Sequence, residues 1–108
     1  MIAILASLSA ALAIAAGAFG AHGASNHEAA EWLRTGGLYQ LIHAVAALAL
    51  ANSARGPALL LLVGAAIFAF TLYAMAAGGP RWLGAITPIG GSLMIGGWLW
   101  AAWTYWRG

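Results

Sequence analysis

The run ALLLLVGAAIFAFTLYAMAA, residues 58–77, is the strongest indication of how this chain folds, because its twenty residues include no charged side chain. A helix needs about 20 mainly apolar residues to cross the hydrocarbon core of a bilayer. Within that core, backbone N–H and C=O groups must be paired inside the protein, so only helices and closed barrels are stable. The run lacks the alternating pattern of a barrel strand. It therefore predicts a membrane-spanning helix.

Three more apolar runs accompany it, at about residues 2–22, 38–54 and 85–106. The separators contain glycine and proline, which is typical of turns. Two of the connections are short, so we expect the second, third and fourth spans to be antiparallel neighbours. The sequence thus predicts an all-α integral membrane protein, a four-helix bundle that forms a single domain over residues 1–108.

The composition agrees with a membrane protein and excludes several other classes. Hydrophobic residues make up 64% of the chain and charged residues only 6%, whereas soluble domains carry about 25% charged residues. The four basic residues are scattered arginines, so no nucleic-acid surface is expected. The absence of cysteine from the sequence excludes disulfides and thiolate chemistry. The expected surroundings of the chain are therefore the lipid bilayer.

The first apolar run resembles a secretory signal peptide only superficially. Its apolar stretch, residues 2–21, is longer than the roughly 7–15 residues of a signal h-region, and no basic segment precedes it. We expect it to remain as the first span.

The polar stretch between the first two spans is expected to contain a short helix of its own. Ser25 followed by Glu28 fits a capping box, and residues 27–34 then form about two turns with Trp32 and Leu33 on the apolar side. The sequence predicts a short interfacial helix here, lying on the membrane and anchoring the second span.

Polar side chains inside the spans are expected to gather on one side of the membrane. Isolated polar groups are costly in hydrocarbon, so each needs a partner or a function. Antiparallel threading brings the end of the first and third spans near the start of the second and fourth, and Pro88 is expected to free a carbonyl or kink the last span. The candidates from the residue pattern are His22, Tyr39, Gln40, His43, Thr71, Tyr73, Pro88, Gly90 and Gly91.

Two interpretations of this polar cluster remain open. It either ties the helices together by hydrogen bonds or lines a small pocket, open to one leaflet, around His43. A haem between His22 and His43 is disfavoured because His22 lies near the surface, and a quinone bound by His43 and Gln40 is a minor alternative. No metal-ligand spacing and no catalytic constellation is apparent. We predict a non-enzymatic protein without a cofactor.

Small residues recur at a spacing of four in the first and last spans. Such stripes let helix backbones approach closely in lipid. They predict helix packing, either within the bundle or between copies of the chain, so that a homo-oligomer or association with other membrane proteins is expected. The stripe residues are Ser9, Ala13, Gly17 and Ala21, and then Pro88, Ser92 and Gly96.

Three motifs, GAFGAHG at 17–23, YQLIHA at 39–44 and WLGAITPIGGSLMIGGW at 82–98, resemble the YgdD-like family of small bacterial inner-membrane proteins. The resemblance implies a multi-pass protein of the bacterial inner membrane without an established activity. The leading hypothesis is an accessory, assembly or structural component that self-associates. The alternative is a binding protein for a lipid, a quinone or a small neutral solute. The motif positions implied by the resemblance are His22, Tyr39, Gln40, His43, Thr87, Pro88, Gly90 and Gly91.

Overall fold

A computed structural model describes residues 1–108 as four α-helices and one short 3-10 helix. The all-α class predicted from the sequence is confirmed. In chain order the elements are α1 Ile2–His22, α2 His27–Leu50, α3 Arg55–Ala76, the 3-10 helix Arg81–Ala85, and α4 Thr87–Arg107.

The helices form an elongated bundle of 48 × 25 × 18 Å. Each helix packs against the next one in the chain, and α3 also contacts α1. The predicted antiparallel order of the second, third and fourth helices is confirmed. Alanine and leucine fill the core at the end of the bundle where α2 meets α3. This core consists of Ile2, Ala6, Ala47, Leu50, Ala51, Ala54, Ala58, Leu61, Leu62 and Ala101.

Three helical segments are long and apolar enough to cross a membrane: α1, α3 and Arg81–Arg107. α2 has 24 residues, but its first turns carry charged side chains and its middle carries Gln40 and His43. The apolar second half of α2 packs against α1 and α3. That α2 forms a fourth span stays a prediction.

The separate interfacial helix predicted for residues 27–34 is wrong, because these residues form the first turns of α2. The second helix therefore begins eleven residues before the predicted start at Leu38 and ends at Leu50. Gly36 and Gly37, the glycines at the end of the predicted separator between the first two spans, are instead buried contact points inside the helix. A Cβ on Gly36 would lie 2.8 Å from the Tyr73 ring, and one on Gly37 would lie 2.9 Å from the Ala13 carbonyl oxygen. Close packing on both sides of α2 outweighs the low helix propensity of glycine.

The start of α2 also differs from the predicted capping box. Asn26, not Ser25, is the N-cap, and its side-chain oxygen accepts a hydrogen bond from the Ala29 N–H at 2.7 Å. Glu28 does not take part in capping; its carboxylate binds the guanidinium of Arg81, the first residue of the 3-10 helix, at 2.6 Å. This ion pair joins the start of α2 to the 3-10 helix.

Of the two outcomes predicted at Pro88, a freed carbonyl or a kink in the last span, the kink is wrong. α4 begins at Thr87, so Pro88 lies in its first turn. Backbone N–H groups there have no partner within the helix, and proline is therefore well tolerated. The predicted start of the last span at Ala85 falls in the 3-10 helix that leads into α4.

Candidate functional site

A chain of hydrogen bonds connects three helices through the side chain of Gln40. The Gln40 amide nitrogen donates to Ser9 Oγ on α1 at 3.0 Å, and the Tyr73 hydroxyl on α3 donates to the Gln40 Oε1 at 2.6 Å. Gln40 is only 1% exposed. A buried amide with partners on both neighbouring helices fixes the position of α2 between them. We call Ser9, Gln40 and Tyr73 the three-helix bridge.

Glycines place the helices close enough for this bridge. Gly36 stands one turn before Gln40 and leaves room for the Tyr73 ring, while Gly37 meets the α1 backbone at Ala13 and Gly17. Side chains at these two positions would push the helices apart, because both approaches are under 3 Å from the added Cβ. Small residues at such contacts let polar groups on facing helices meet.

A second link joins α3 to α4 through two buried threonines. The hydroxyl oxygens of Thr71 and Thr87 lie 2.6 Å apart. Thr71 also lies 2.9 Å from the Ile67 carbonyl oxygen, and Thr87 lies 3.2 Å from that of Leu83. Each hydroxyl has one hydrogen, so one threonine donates across the interface and the other donates to its own helix.

A third link joins α2 to α4 through His43, which is 6% exposed. Its Nδ1 lies 2.7 Å from the Tyr39 carbonyl oxygen, and the Trp98 indole N–H points at its Nε2 at 3.1 Å. A carbonyl only accepts and an indole N–H only donates. His43 is therefore a neutral imidazole with its hydrogen on Nδ1 and both nitrogens occupied.

The predicted polar residues thus form three separate links rather than one cluster. Tyr39 is exposed; its ring stacks on that of His43, with centroids 6.3 Å apart, and tilts against Phe68. His22, the last residue of α1, and Pro88 are both exposed at helix ends. The two adjacent glycines of α4 differ: Gly90 is buried against α3, whereas Gly91 is partly exposed, and a Cβ added there would meet only the Phe68 ring, at 3.9 Å.

Two partners in these links were not predicted as polar partners. Ser9 was expected only to support helix packing, and Trp98 was not expected to hydrogen-bond. The pairing of Ser9 with Gln40 follows from the bounds of the two helices. Ser9 lies 13 residues before the end of α1 at His22, and Gln40 lies 13 residues after the start of α2 at His27. The two therefore have equal depth in antiparallel helices. That relation is visible only once the true start of α2 is known.

The small-residue stripe on α1 packs against α2 within the bundle, except at its C-terminal residue. Ala13 and Gly17 meet α2 at Gly37, and Ser9 joins the three-helix bridge, while Ala21 is exposed. On α4 the face turned toward α3 is a different one. It consists of Gly90, Met94, Gly97 and Ala101.

Comparison with known proteins decides the family. Residues 16–91 match the family described as protein of unknown function (DUF423). The chain belongs to this family. A UPF0382 membrane protein of Staphylococcus saprophyticus is 39% identical over 106 residues, covering 89% of this chain and 88% of the relative. One from Haemophilus influenzae is 39% identical over 105 residues, covering 88% and 85%.

The UPF0382 inner membrane protein YgdD of Escherichia coli strain K12 is 33% identical over 106 residues, covering 88% of this chain and 81% of YgdD. The resemblance noted from the sequence motifs is therefore confirmed. This DUF423 member is a multi-pass protein of the bacterial inner membrane. No solved structure matches the chain.

In the bilayer, the many exposed apolar side chains of this DUF423 member face lipid. Exposed tryptophans concentrate at the far end of α4, among them Trp103 and Trp106. Tryptophan is enriched where hydrocarbon meets headgroups. At the opposite end, Arg81 pairs with Glu28 and lies over the Trp32 ring at 5.5 Å from its centroid. Both charges are exposed, so this pair contributes little to stability.

The state of His43 can be tested directly by nitrogen NMR in bilayers. We expect the imidazole of His43 to carry its hydrogen on Nδ1 and to have an unprotonated Nε2, because Tyr39 accepts and Trp98 donates. Comparison with a His43→Gln sample assigns the signal among three histidines. Trp98→Phe should move the Nε2 resonance while the hydrogen stays on Nδ1. A hydrogen on Nε2 would contradict the described link.

Proposed function

We propose that this protein is a non-enzymatic structural or accessory component of the inner membrane, whose copies associate with one another. The main support for this proposal is that the buried polar side chains are hydrogen-bonded within the bundle. Every buried side-chain nitrogen and oxygen has a hydrogen-bond partner. Buried polar groups that are hydrogen-bonded to partners in neighbouring helices stabilise the bundle.

The groups best suited to chemistry are engaged in the same way. A general base or a nucleophile needs an atom that is free to meet its substrate. Both nitrogens of His43 are occupied, and the hydroxyls of Thr71 and Thr87 bind each other and helix carbonyls. This geometry supports a non-enzymatic role.

The outward face of α4 supports self-association. Two residues of its small-residue stripe, Pro88 and Ser92, are exposed, and Gly96 is partly exposed at the edge of the contact with α3, where an added Cβ would lie 3.9 Å from the Leu60 side chain. The Ser92 hydroxyl donates to the Pro88 carbonyl of its own helix at 2.8 Å, so this polar group does not need a partner outside the helix. Faces of this kind permit close helix contacts in lipid, where van der Waals packing drives association.

Native mass spectrometry of the protein from several detergents and nanodiscs tests the proposal. We expect dimers or larger assemblies, and we expect Ser92→Leu to shift the population toward monomer by about tenfold, because the added side chain separates the helices. Ser7→Leu is the matched control, since Ser7 is also exposed and bonds its own helix, at Ala3. A monomeric wild type, or equal effects of both variants, would contradict association through α4.

The alternative predicted from the sequence, binding of a lipid, a quinone or a small neutral solute around His43, has less support. A ligand there would have to displace Trp98 or Tyr39 from an imidazole that is 6% exposed and fully hydrogen-bonded.

A further inference from the structure

A groove of about 330 Å³ runs between α1 and α3. Eight of its ten lining residues are hydrophobic, among them Leu8 and Leu12 from α1 and Val63 and Phe70 from α3. The two polar ones are Ser9 and Gln40, both members of the three-helix bridge. The groove therefore has apolar walls and a polar floor. Its volume lies within the range of small-molecule sites, which begins at about 300 Å³.

The polar floor has unused hydrogen-bond donors. The hydroxyls of Ser9 and Tyr73 and the amide of Gln40 carry four N–H and O–H hydrogens in total. The bridge contains two hydrogen bonds among these groups, and no other bond of their side chains is present. With the amide oriented in this way, the two hydrogens left over are the Ser9 hydroxyl hydrogen and the second amide hydrogen of Gln40. Ser9 and Gln40 both line the groove, although Gln40 is almost completely buried.

An unused donor in hydrocarbon is a stronger indication of a ligand than an unused acceptor. Buried backbone N–H groups without a partner are rare in proteins, whereas under-used carbonyl oxygens are less so. The same desolvation cost applies to a side-chain N–H or O–H. The unused hydrogen-bond donors of Ser9 and Gln40 therefore indicate a ligand that has an acceptor oxygen. The walls require the rest of that molecule to be apolar.

The depth of the floor selects among apolar molecules with an acceptor oxygen. With α1 centred in the bilayer, its middle residue Leu12 marks the centre of the hydrocarbon core. Ser9 lies three residues from Leu12, which is about 4.5 Å along the helix. The ester carbonyls of a membrane lipid lie at the edge of a hydrocarbon core about 30 Å thick, so about 15 Å from its centre. A lipid in its normal position would thus fill the groove with acyl chains and leave the donors unpaired.

We propose that this groove binds a neutral long-chain quinone, with a carbonyl oxygen accepting hydrogen bonds from Ser9 and Gln40. A quinone ring is uncharged and follows its apolar tail into the core, so its carbonyl reaches the depth that a lipid ester does not. Leu8, Leu12, Val63 and Phe70 contact the ring and the first part of the tail. The site lies on the α1–α3 side of Gln40 and is independent of His43 and of self-association through α4.

Binding of a decyl-substituted benzoquinone to the full-length protein in nanodiscs tests this proposal, with equilibrium dialysis as the measurement. We expect the quinone to bind at least tenfold more tightly than decylbenzene, which has the same tail without carbonyls. Ser9→Ala should weaken quinone binding about fivefold, the effect of one ordinary hydrogen bond, and leave decylbenzene binding unchanged. Ser92→Ala, on the outer face of α4, should change neither.

A second variant fills the groove without touching the bridge. Leu12 is exposed and lines the groove, so Leu12→Trp should abolish quinone binding while the thermal unfolding temperature stays within a few degrees of wild type. Equal affinity for the quinone and decylbenzene would overturn the proposal. So would unchanged quinone affinity in Leu12→Trp, or complete displacement of the quinone by a short-chain diacylglycerol, which would assign the groove to an ester lipid.

Discussion

Gly90→Ala is expected to lower the free energy of unfolding by about 2 kcal/mol. Gly90 is the point of closest approach between α3 and α4. A Cβ there would overlap the Phe68 backbone nitrogen and lie 2.6 Å from the Gly64 carbonyl oxygen. Both are backbone atoms of a helix, which do not move aside as a side chain does. The two helices would have to separate, and this cost exceeds the roughly 1 kcal/mol that alanine gains in helix propensity.

Gly91→Ala is the matched control for this variant, since it makes the same change one residue further along α4. An added Cβ would meet only the Phe68 ring edge, at 3.9 Å. Without a clash, the higher helix propensity of alanine should leave the stability unchanged or raise it by up to about 1 kcal/mol. Reversible unfolding in mixed micelles measures both. Equal destabilisation by the two variants would contradict the described packing of α3 on α4.

Gln40→Met is expected to destabilise the protein by about 1–2 kcal/mol, because it retains the length of the side chain and removes both bonds of the three-helix bridge. The hydroxyls of Ser9 and Tyr73 would lose their partner inside the bundle. Ser92→Ala is a suitable control, because the Ser92 hydroxyl is exposed and bonds only its own helix. It should change the stability by less than about 0.5 kcal/mol.

The overall fold was largely predictable because its determinants are local. The apolar run from Ile2 to His22 has the bounds that the structure gives to α1, and α3 differs from its predicted range by only a few residues. Long uncharged runs leave few alternatives in a bilayer. The family resemblance rested on motifs spread over the whole chain, and it too was confirmed.

The start of α2 and the course of the chain at Pro88 were not predictable from local signals. Gly36 and Gly37 favour a break by propensity, but contacts with α1 and α3 decide the outcome. For Pro88 the error was the assumed start of the helix, since a proline in the first turn does not kink it. Both cases depend on where neighbouring elements lie.

The candidate site was predictable in its members but not in its pairs. Gln40, His43, Thr71 and Tyr73 were named from the residue pattern and Thr87 from the family resemblance, and all of them form hydrogen bonds in the structure. Which residue meets which depends on the rotation of each helix about its axis, and an alanine-rich chain has little amphipathic pattern to fix that rotation. His43 therefore meets Trp98 rather than Thr71.

Hydrogen bonds between side chains of different helices stabilise this bundle in the bilayer. A double-mutant cycle of Gln40→Met and Tyr73→Phe, followed by reversible unfolding in mixed micelles, tests it most directly. We expect a coupling energy of about 1 kcal/mol, because each single variant already removes the one bond that Gln40 and Tyr73 share. Strictly additive effects would contradict the claim, since Gln40 and Tyr73 would then stabilise the protein independently.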